Sequence, residues 1–351
     1  MKRFRNIAIL LAASSLPFSL GGEATASPVS QEVRFAPVKM PSVMLATPNV
    51  DLDAWQNFKS RNGQPSVDQH LTDPILTGAI DLHAHYGPDT YHRQWDAFEI
   101  ARLAKERGMR GLVLKSHWTE SATLANLIRK YGNVPGLEVF GGLVLNTTVG
   151  GINPQAVRFF AEVEGKYAKI VWMPTHDSEH EVKFRKEKRP YVRVSVDGHL
   201  LPQVLEVLDL IKHYDLTLAT GHVTAKEMLQ IVSAAHQRGI TRIIITHPNL
   251  GPMFTSPSTD EMRQAVAMNA YVEVVSSELR RDQKESFVQL IRTLGPAHIV
   301  VATDSGITGT PNHPDALAQS IAFLRSSGFT ENELDLMFRK NPARVLGLPD
   351  S

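Results

Sequence analysis

The stretch Ala79-Ile80-Asp81-Leu82-His83-Ala84-His85 is an apolar run that ends in two histidines one residue apart. In a β-strand, residues i and i+2 point to the same face, so a strand here projects His83 and His85 together. Two imidazoles on one face form half of a metal site, although a pair of polar residues at a strand end can also be purely structural. The pattern of the rest of the chain distinguishes these two interpretations.

Beyond this stretch, short β-branched or aliphatic runs alternate with longer segments of helical periodicity, which is typical of βαβ units and a parallel sheet. The predicted strands are Ile75–Leu82, Gly111–Leu114, Leu137–Leu145, Lys169–Met173, Leu216–Thr220, Arg242–Thr246, Tyr271–Val275 and His298–Ala302. Eight strand–helix repeats in about 250 residues predict an α/β fold, a (β/α)8 TIM barrel. A doubly wound open sheet is the alternative, although the first βα junction lacks a Gly-x-Gly-x-x-Gly turn.

An interruption after the fourth strand, from Pro174 to Pro202, contains a mixed charged run, then alternating residues before Asp197-Gly198. We interpret it as an inserted loop with a hairpin at the end of the barrel where active sites lie. The barrel domain is predicted to span residues 75–351. It follows an arm or linker of residues 27–74, which is rich in Pro, Ser, Asn and Gln.

Residues 1–26 have the pattern of a signal peptide. A basic start precedes a mostly apolar stretch from Ile7 to Leu20, and Ala24-Thr25-Ala26 supplies small residues for cleavage. Serines and a proline break the apolar stretch, which is short for a membrane anchor. The sequence therefore predicts export to the periplasm, with secretion as the alternative, and no stable membrane span after cleavage.

The composition limits the partners and the chemistry of the chain. Lys plus Arg (37) nearly balances Asp plus Glu (36), which gives no support to nucleic acid as the main ligand. A small-molecule substrate is the expected partner, and a homo-oligomer remains open. Without cysteine, the chain has no disulfide, thiolate ligand or cysteine nucleophile, so any metal must be held by nitrogen and oxygen donors.

Polar donors follow several predicted strands, at the rim where the active sites of such barrels lie. His222 follows the fifth strand, His247 the sixth and Asp304 the eighth, so with the first pair they place four histidines and one aspartate at one rim. The rim residues predicted to be candidates for substrate contact are His117, Trp118, Asn146, Trp172, Thr175 and His176.

This order of a His-x-His pair, two later histidines and a final aspartate resembles the amidohydrolase superfamily of metal-dependent hydrolases. The similarity extends from Asp81 to the terminal run 338–348, whose Asn-Pro-Ala-x-x-Leu-Gly pattern resembles the ending common in that superfamily. The resemblance implies a set of metal ligands: His83, His85, His222, His247 and Asp304. It also implies that Asp304 shuttles the proton and that Asp81 is a supporting hydrogen-bond partner.

The chain departs from the superfamily pattern at the fourth strand, where many binuclear members carry a bridging carboxylated lysine or a glutamate. Lys169 lies near the beginning of this strand, far from the rim, whereas Lys115 at the end of the second strand is better placed. A carbamate on Lys115 would give a site with two metals. As an ammonium, Lys115 would repel a second cation and could bind a substrate anion instead. The sequence leaves both states open.

The chemistry that this set of residues implies is hydrolysis at an amide, lactone, ester or phosphoester bond of a small molecule. One or two divalent ions are expected, with Zn²⁺ favoured by the imidazole and carboxylate donors, and such an ion lowers the pKa of its water toward about 7. Asp304 would accept the proton of that water. Two alternatives remain: a metal-dependent decarboxylase or C–C lyase on the same barrel, and an exported metal-containing binding protein without turnover.

Overall fold

The computed structural model describes residues 66–280 and 284–350. The strands of this part of the chain are β1 (Ile80–His85), β2 (Gly111–Lys115), β3 (Glu138–Val144), β4 (Ala168–Trp172), β5 (Ser195–Val196), β6 (His199–Leu200), β7 (Thr217–Ala219), β8 (Ile243–Ile245), β9 (Ala270–Val275) and β10 (Ile299–Ala302). All but β5 and β6 form one parallel eight-stranded sheet, in the order β1-β2-β3-β4-β7-β8-β9-β10.

The two ends of this sheet meet beside the paired histidines, so the sheet is a nearly closed barrel. Ala84 in β1 forms a parallel bridge with Ser305, just after β10. The backbone N–H of Asp304 donates to the His83 carbonyl at 3.0 Å, and that of His85 donates to the Ser305 carbonyl at 3.2 Å. The predicted (β/α)8 TIM barrel is therefore confirmed, and the open-sheet alternative is wrong.

Helices connect successive barrel strands. The α-helices within the described residues are α1 (Ala97–Glu106), α2 (Ala122–Tyr131), α3 (Pro154–Glu162), α4 (Glu179–Phe184), α5 (Pro202–His213), α6 (Ala225–Gln237), α7 (Thr259–Ala267), α8 (Lys284–Leu294), α9 (His313–Ser326), α10 (Glu331–Asp335) and α11 (Asn341–Val345). Local sequence explains several starts: the pairs Asp96/Glu99 and Thr224/Glu227 form reciprocal capping boxes at α1 and α6.

Two apolar clusters correspond to the two layers of the barrel. One cluster packs the outward residues of the strands against the helices. The other contains inward strand residues such as Ile80, Val113 and Trp172, together with Val345 and Leu346 of the C-terminal segment. Side chains therefore fill the barrel interior, as expected for eight strands, and the C-terminal segment covers its lower end.

The insertion after β4 contains the predicted hairpin and a helix that the sequence did not indicate. In the hairpin, β5 and β6 pair antiparallel around Asp197 (φ 51°) and Gly198 (φ 78°), the positive dihedrals that an Asp-Gly turn supplies. The charged run before it, predicted only as a loop, begins with the helix α4. Ser178 accepts a hydrogen bond from the Glu181 N–H at the start of α4, so this short helix is capped locally.

The predicted signal peptide (1–26) and residues 27–65 of the predicted arm lie outside the described residues. The remainder of the arm, residues 66–74, contains no helix or strand and is attached to the barrel. The backbone N–H groups of Gln69 and Leu71 donate to the carboxylate of Asp315 in α9, at 2.7 and 2.9 Å. Within the ranges 66–280 and 284–350, no helix has both the length and the apolar character needed to cross a bilayer.

Candidate metal centre

The first histidine pair reaches the barrel interior because β1 contains a bulge between Asp81 and Ala84. Leu82 packs in the interior cluster, whereas Ala84 packs in the outer one, so the bulge shifts the alternation of side chains by one residue. His83 and His85 then face the interior together, with ring centroids 5.2 Å apart. Their arrangement depends on an irregularity that alternation alone does not predict.

The Asp81 carboxylate supports this irregular segment. Its Oδ1 atom accepts the N–H of His83 at 3.1 Å and that of Thr303 at 3.0 Å, and its Oδ2 atom accepts the Thr303 hydroxyl at 2.6 Å. This fully buried carboxylate has its lone pairs directed at two backbone N–H groups and one hydroxyl. The structure places Asp81 beneath the histidines, as a link between β1 and the end of β10.

Asp304 lies between the two histidines of β1. Its Oδ1 atom is 3.0 Å from His83 Nε2 and 3.1 Å from His85 Nε2, and its side chain is 22% exposed. The backbone of Asp304 has φ 50°, a left-handed conformation that is costly for a residue other than glycine and that occurs frequently at functional sites. The closure of the barrel holds this conformation through the Asp304 N–H bond to β1.

His222 and His247 follow β7 and β8 and face each other across the same rim. Their Nε2 atoms are 3.3 Å apart, and both side chains are almost completely buried. The ring of Phe254 stands edge-on to both, with centroid distances of 4.8 Å to His222 and 5.0 Å to His247. The His247 ring also lies 5.6 Å from that of His83, so the two histidine pairs form one group.

Three of the four rings have an acceptor at Nδ1, which leaves Nε2 as the inward-facing nitrogen. His83 Nδ1 is 3.1 Å from Glu273 Oε1, His85 Nδ1 is 3.0 Å from the Lys115 carbonyl, and His222 Nδ1 is 2.6 Å from Glu181 Oε2. A carboxylate or carbonyl in this position fixes the tautomer that presents Nε2 to a metal. The ring nitrogens of this site are therefore oriented for a ligand at their centre.

The spacing of these donors also suits a metal ion. Two ligands about 2.0–2.1 Å from a tetrahedral Zn²⁺ lie about 3.3–3.4 Å apart. The Nε2 atoms of His222 and His247 have this spacing, and two acceptors so close repel each other unless a proton or a cation lies between them. The ligand atoms of His83, His85 and Asp304 also lie within 4.8 Å of one another. The residues present therefore fit a divalent cation.

The protonation states of three of the four rings and of Asp304 suit metal binding as well, whereas the effect of burial on His83 is outweighed by the charges of Glu273 and Asp304, which raise the pKa of His83. Burial lowers the pKa of His222 to about 4 and that of His247 to about 3, and burial together with the nearby Arg93 charge holds the pKa of His85 well below its usual value. Burial opposes ionisation of Asp304, but the adjacent histidines outweigh it and hold the pKa of this carboxyl well below its ordinary range. At pH 7 these three rings are neutral and Asp304 is ionised, the forms that bind a cation.

Lys115 at the end of β2 extends into the centre of this group. Its Nζ atom lies 2.8 Å from His83 Nε2 and 5.3 Å from the centroid of the Trp172 ring, and the side chain is fully buried. Burial lowers the pKa of Lys115 to about 8, although Asp304 and Glu273 oppose that shift. About a tenth of the Lys115 side chains would then be neutral at pH 7. Lys169, by contrast, lies near the beginning of β4, with its Nζ over the Phe140 ring.

Glu273 belongs to this site although the sequence did not indicate it. It lies in the middle of β9 and is almost completely buried. Its Oε1 atom faces His83 Nδ1, and its Oε2 atom accepts the backbone N–H of His247 at 3.1 Å. Burial favours the neutral acid, but the His83 charge outweighs it and lowers the pKa of Glu273. The sequence feature that could have identified Glu273 is its position as a carboxylate within the apolar run Tyr271–Val275.

Glu181 in α4 is the second residue that the sequence did not single out. It is fully buried, and its pKa lies well below the usual value because the neighbouring imidazoles of His176 and His222 outweigh the effect of burial. The run Glu181 to Arg189 contains so many charges that no single carboxylate stands out in it.

Five of the residues predicted to contact a substrate form a connected wall beside the metal-binding residues. Thr175 links two of them, since its hydroxyl lies 3.0 Å from His117 Nδ1 and accepts from Asn146 Nδ2 at 2.9 Å. The His176 ring lies 4.1 Å from that of His117 and stacks on Trp118 at 6.3 Å.

Trp172 differs from the other predicted contact residues. It lies inside the barrel below the rim, is fully buried, and has its ring 5.8 Å from that of His83. Its indole N–H has no hydrogen-bond partner among the described residues. The structure thus places Trp172 in the floor of the site, and not in the wall.

The barrel fold is shared with several proteins of known structure. An amidohydrolase from Pseudomonas aeruginosa superposes with a TM-score of 0.53 at 14% identity, covering 78% of this chain and 97% of that chain. An organophosphorus hydrolase from Deinococcus radiodurans gives 0.53 at 13% identity, covering 82% and 100%. A phosphotriesterase homology protein from Escherichia coli, complexed with phosphate in its active site, gives 0.53 at 14% identity, covering 78% and 99%. At such identities the likeness is one of fold.

Residues 78–273 match a protein family described as "Family of unknown function (DUF6282)". The match covers more than half of the chain, and the chain belongs to this family. The matched range runs from just before β1 to Glu273 and includes the insertion, whereas Asp304 lies beyond it. A comparison with curated proteins finds no match.

Proposed function

We propose that this protein is a metal-dependent hydrolase of a small molecule that carries an amide, lactone, ester or phosphoester bond. One observation carries the proposal: three imidazoles have acceptors at Nδ1, His83 and His85 present Nε2 to Asp304, and His222 and His247 present Nε2 to each other on the same rim. The fold shared with an amidohydrolase and an organophosphorus hydrolase supports the same reaction class.

The proposed ligands are His83, His85, His222, His247 and Asp304. A divalent cation held there, with Zn²⁺ the expected one, would supply a water of lowered pKa and polarise the carbonyl or phosphoryl group that is attacked. The Nδ1 partners keep the rings in place while this happens. Their orientation is set before any ligand binds, because buried acceptors of the fold provide it.

Asp304 is the proposed proton acceptor. It is ionised at neutral pH and is partly exposed, so it can take a proton from an attacking water and later release it to the leaving group. The rings of His117, Trp118 and His176 belong to the wall beside the proposed ligands, and the His117 ring lies 4.6 Å from that of His85. The substrate is proposed to bind against this wall.

Lys115 decides how many cations the site holds. An ammonium 2.8 Å from His83 Nε2 would repel a cation bound to that nitrogen, so metal binding there requires Lys115 to be neutral or carboxylated. The lowered pKa increases the fraction of the neutral amine, which is the form that reacts with CO₂. We propose that Lys115 carries a carbamate in the metal-loaded protein, which would add an oxygen ligand for a second cation. Native mass spectrometry with and without bicarbonate would detect the added CO₂.

The proposal includes export, for which the pattern of residues 1–26 is the support, with the periplasm as the expected location. The expected partner is a small-molecule substrate. A homo-oligomer is compatible with this function.

The test begins with metal analysis of protein purified without chelators, followed by assays with amide, lactone, ester and phosphoester substrates. Asp304→Asn should keep the fold and much of the metal but lower turnover by about 10²–10⁴-fold, the usual contribution of a positioned proton-transfer group. Asp209→Asn, at an exposed carboxylate in α5, is the matched control and should leave turnover unchanged.

Reaction in ¹⁸O-labelled water separates hydrolysis from a lyase reaction, since only hydrolysis must incorporate solvent oxygen. Absence of metal, with no rescue of activity by Zn²⁺ or Mn²⁺, would overturn the proposal. Bound metal without turnover of any of the four substrate classes would favour a binding protein.

A further inference from the structure

The inserted helix α4 contacts the proposed metal centre through the side chain of Glu181. This residue is fully buried although it belongs to a helix of the insertion. Its Oε2 atom lies 2.6 Å from His222 Nδ1, the shortest contact made by a ring nitrogen of the proposed ligands. The role of this contact rests on the proposed function.

The other carboxylate oxygen is also fully engaged. Oε1 lies 3.0 Å from His176 Nδ1 and accepts from Arg185 Nε at 2.8 Å. The two oxygens of Glu181 therefore face three N–H donors, one from a proposed ligand, one from the wall beside it and one from the same helix. A carboxylate that is held in this way has little freedom to rotate or to change partner.

The backbone of α4 is attached to the same histidine. The Ser178 hydroxyl accepts the Glu181 N–H at 3.1 Å and donates to the His222 carbonyl at 2.7 Å. The His222 N–H donates to the Pro174 carbonyl at 2.9 Å. Both backbone groups and the ring of His222 are thus held by the residues that follow β4.

We propose that Glu181 is a positioning residue that fixes the tautomer and the ring plane of His222, so that Nε2 faces His247. A ring with its Nδ1–H bound to a carboxylate can present only Nε2 to a cation, and its basicity as a ligand increases. The insertion is then part of the metal-binding apparatus of this chain and not merely a cover over it.

A different role for the same atoms is a separate cation site, since ligand atoms of His176, Glu181 and His222 lie within 4.8 Å of one another. Two features favour positioning. The guanidinium of Arg185 already neutralises Glu181 and would repel a cation at the same oxygen. A cation bound at His222 Nδ1 would also have to displace the 2.6 Å contact between this nitrogen and Glu181 Oε2.

The experiment compares the cation affinity of the full-length wild type, Glu181→Gln and Glu179→Gln, measured by competition with a chromophoric chelator for Zn²⁺. An amide cannot accept from all three donors, so Glu181→Gln should bind Zn²⁺ about 10–100-fold more weakly, with unchanged stoichiometry at saturation. Glu179 lies on the same helix and pairs with Lys183 and Arg193 at the surface, so Glu179→Gln should bind as the wild type does.

The absorption spectrum of the Co²⁺-loaded protein gives a second readout, which a change in helix stability alone would not move. It should differ from that of the wild type in Glu181→Gln and not in Glu179→Gln. Should Glu181→Gln fail to fold, Glu181→Asp keeps the charge beside Arg185 but cannot reach His222 at hydrogen-bond distance. It should therefore show the same loss of affinity and the same spectral change.

Three results would overturn the inference. Wild-type affinity and spectrum in the Glu181 variants would show that the contact does not position the ring. Loss of one cation equivalent at saturation, with unchanged affinity for the rest, would make Glu181 a ligand of a separate site. A wild-type protein that binds no cation would overturn the proposed function together with this inference.

Discussion

Replacement of Glu273 by glutamine tests the internal support of the proposed metal centre without removing a ligand. The two oxygens of Glu273 contact different donors: Oε1 faces His83 Nδ1, and Oε2 accepts the backbone N–H of His247, each at 3.1 Å. Glutamine has the same shape but only one oxygen, so one of the two donors would face an N–H₂ group. The change therefore removes a charge and one acceptor from a fully buried position.

The magnitude follows from these contacts. A buried donor left without a partner costs about 1–3 kcal/mol, so the free energy of unfolding of the metal-free protein should fall by about 2 kcal/mol in Glu273→Gln. If the amide turns so that His83 loses its acceptor, the ring is no longer fixed in the orientation that presents Nε2. Loss of such a partner typically lowers metal affinity about 10–100-fold.

Urea unfolding in the presence of a chelator measures the first effect, and competition with a chromophoric chelator for Zn²⁺ measures the second. Glu278→Gln is the matched control. Glu278 is fully buried just after β9 and accepts the Val275 N–H at 2.8 Å, which a glutamine oxygen can replace. This control should bind Zn²⁺ with wild-type affinity. If Glu273→Gln equals Glu278→Gln in both stability and affinity, the assignment of Glu273 to the site is refuted.

Two further outcomes follow from burial. The pKa values of about 4 for His222 and about 3 for His247 lie below the value of about 6.5 in the unfolded chain. Below pH 6.5 the unfolded chain therefore binds more protons than the folded protein, and the stability of the metal-free protein falls. The expected loss between pH 7.5 and pH 5 is about 2 kcal/mol for each of the two rings. The raised pKa of His83 partly offsets this loss. Urea titrations at both pH values measure the net change, and equal stability at the two pH values would contradict the prediction. Separately, Gly142→Ala would place a Cβ in steric conflict with Cζ3 of the Trp172 ring, so it should lower the free energy of unfolding in urea by about 1–3 kcal/mol. A change below about 0.5 kcal/mol would show that the floor of the site is loosely packed.

The donors that the sequence identified share one property, which is their position immediately after an apolar strand. His222, His247 and Asp304 could be placed at one rim because parallel strands of a barrel all end on the same side. The hairpin of the insertion was equally local, since Asp197-Gly198 supplies the dihedrals of its turn. These assignments needed no knowledge of which strands are neighbours.

The residues that the sequence did not reveal are those whose role depends on a distant contact. In the sequence pattern, Glu273 is one polar residue of a half-buried strand. Only the closure of the barrel places it against His83, which lies 190 positions earlier in the chain. Glu181 lies on a helix of six residues, too short for a clear apolar period, and meets His222 across 41 positions.

The sequence by itself determined the eight strand–helix repeats and indicated that four histidines and Asp304 lie at one rim, because both follow from local periodicity and from the direction of parallel strands. Tertiary structure alone decided how those donors are oriented. The bulge in β1 turned its two histidines into the barrel, and the carboxylates of Glu273 and Glu181 selected the nitrogen that each partner ring presents. Orientation depends on hydrogen bonds between segments far apart in the chain, and no local pattern records which segments will meet.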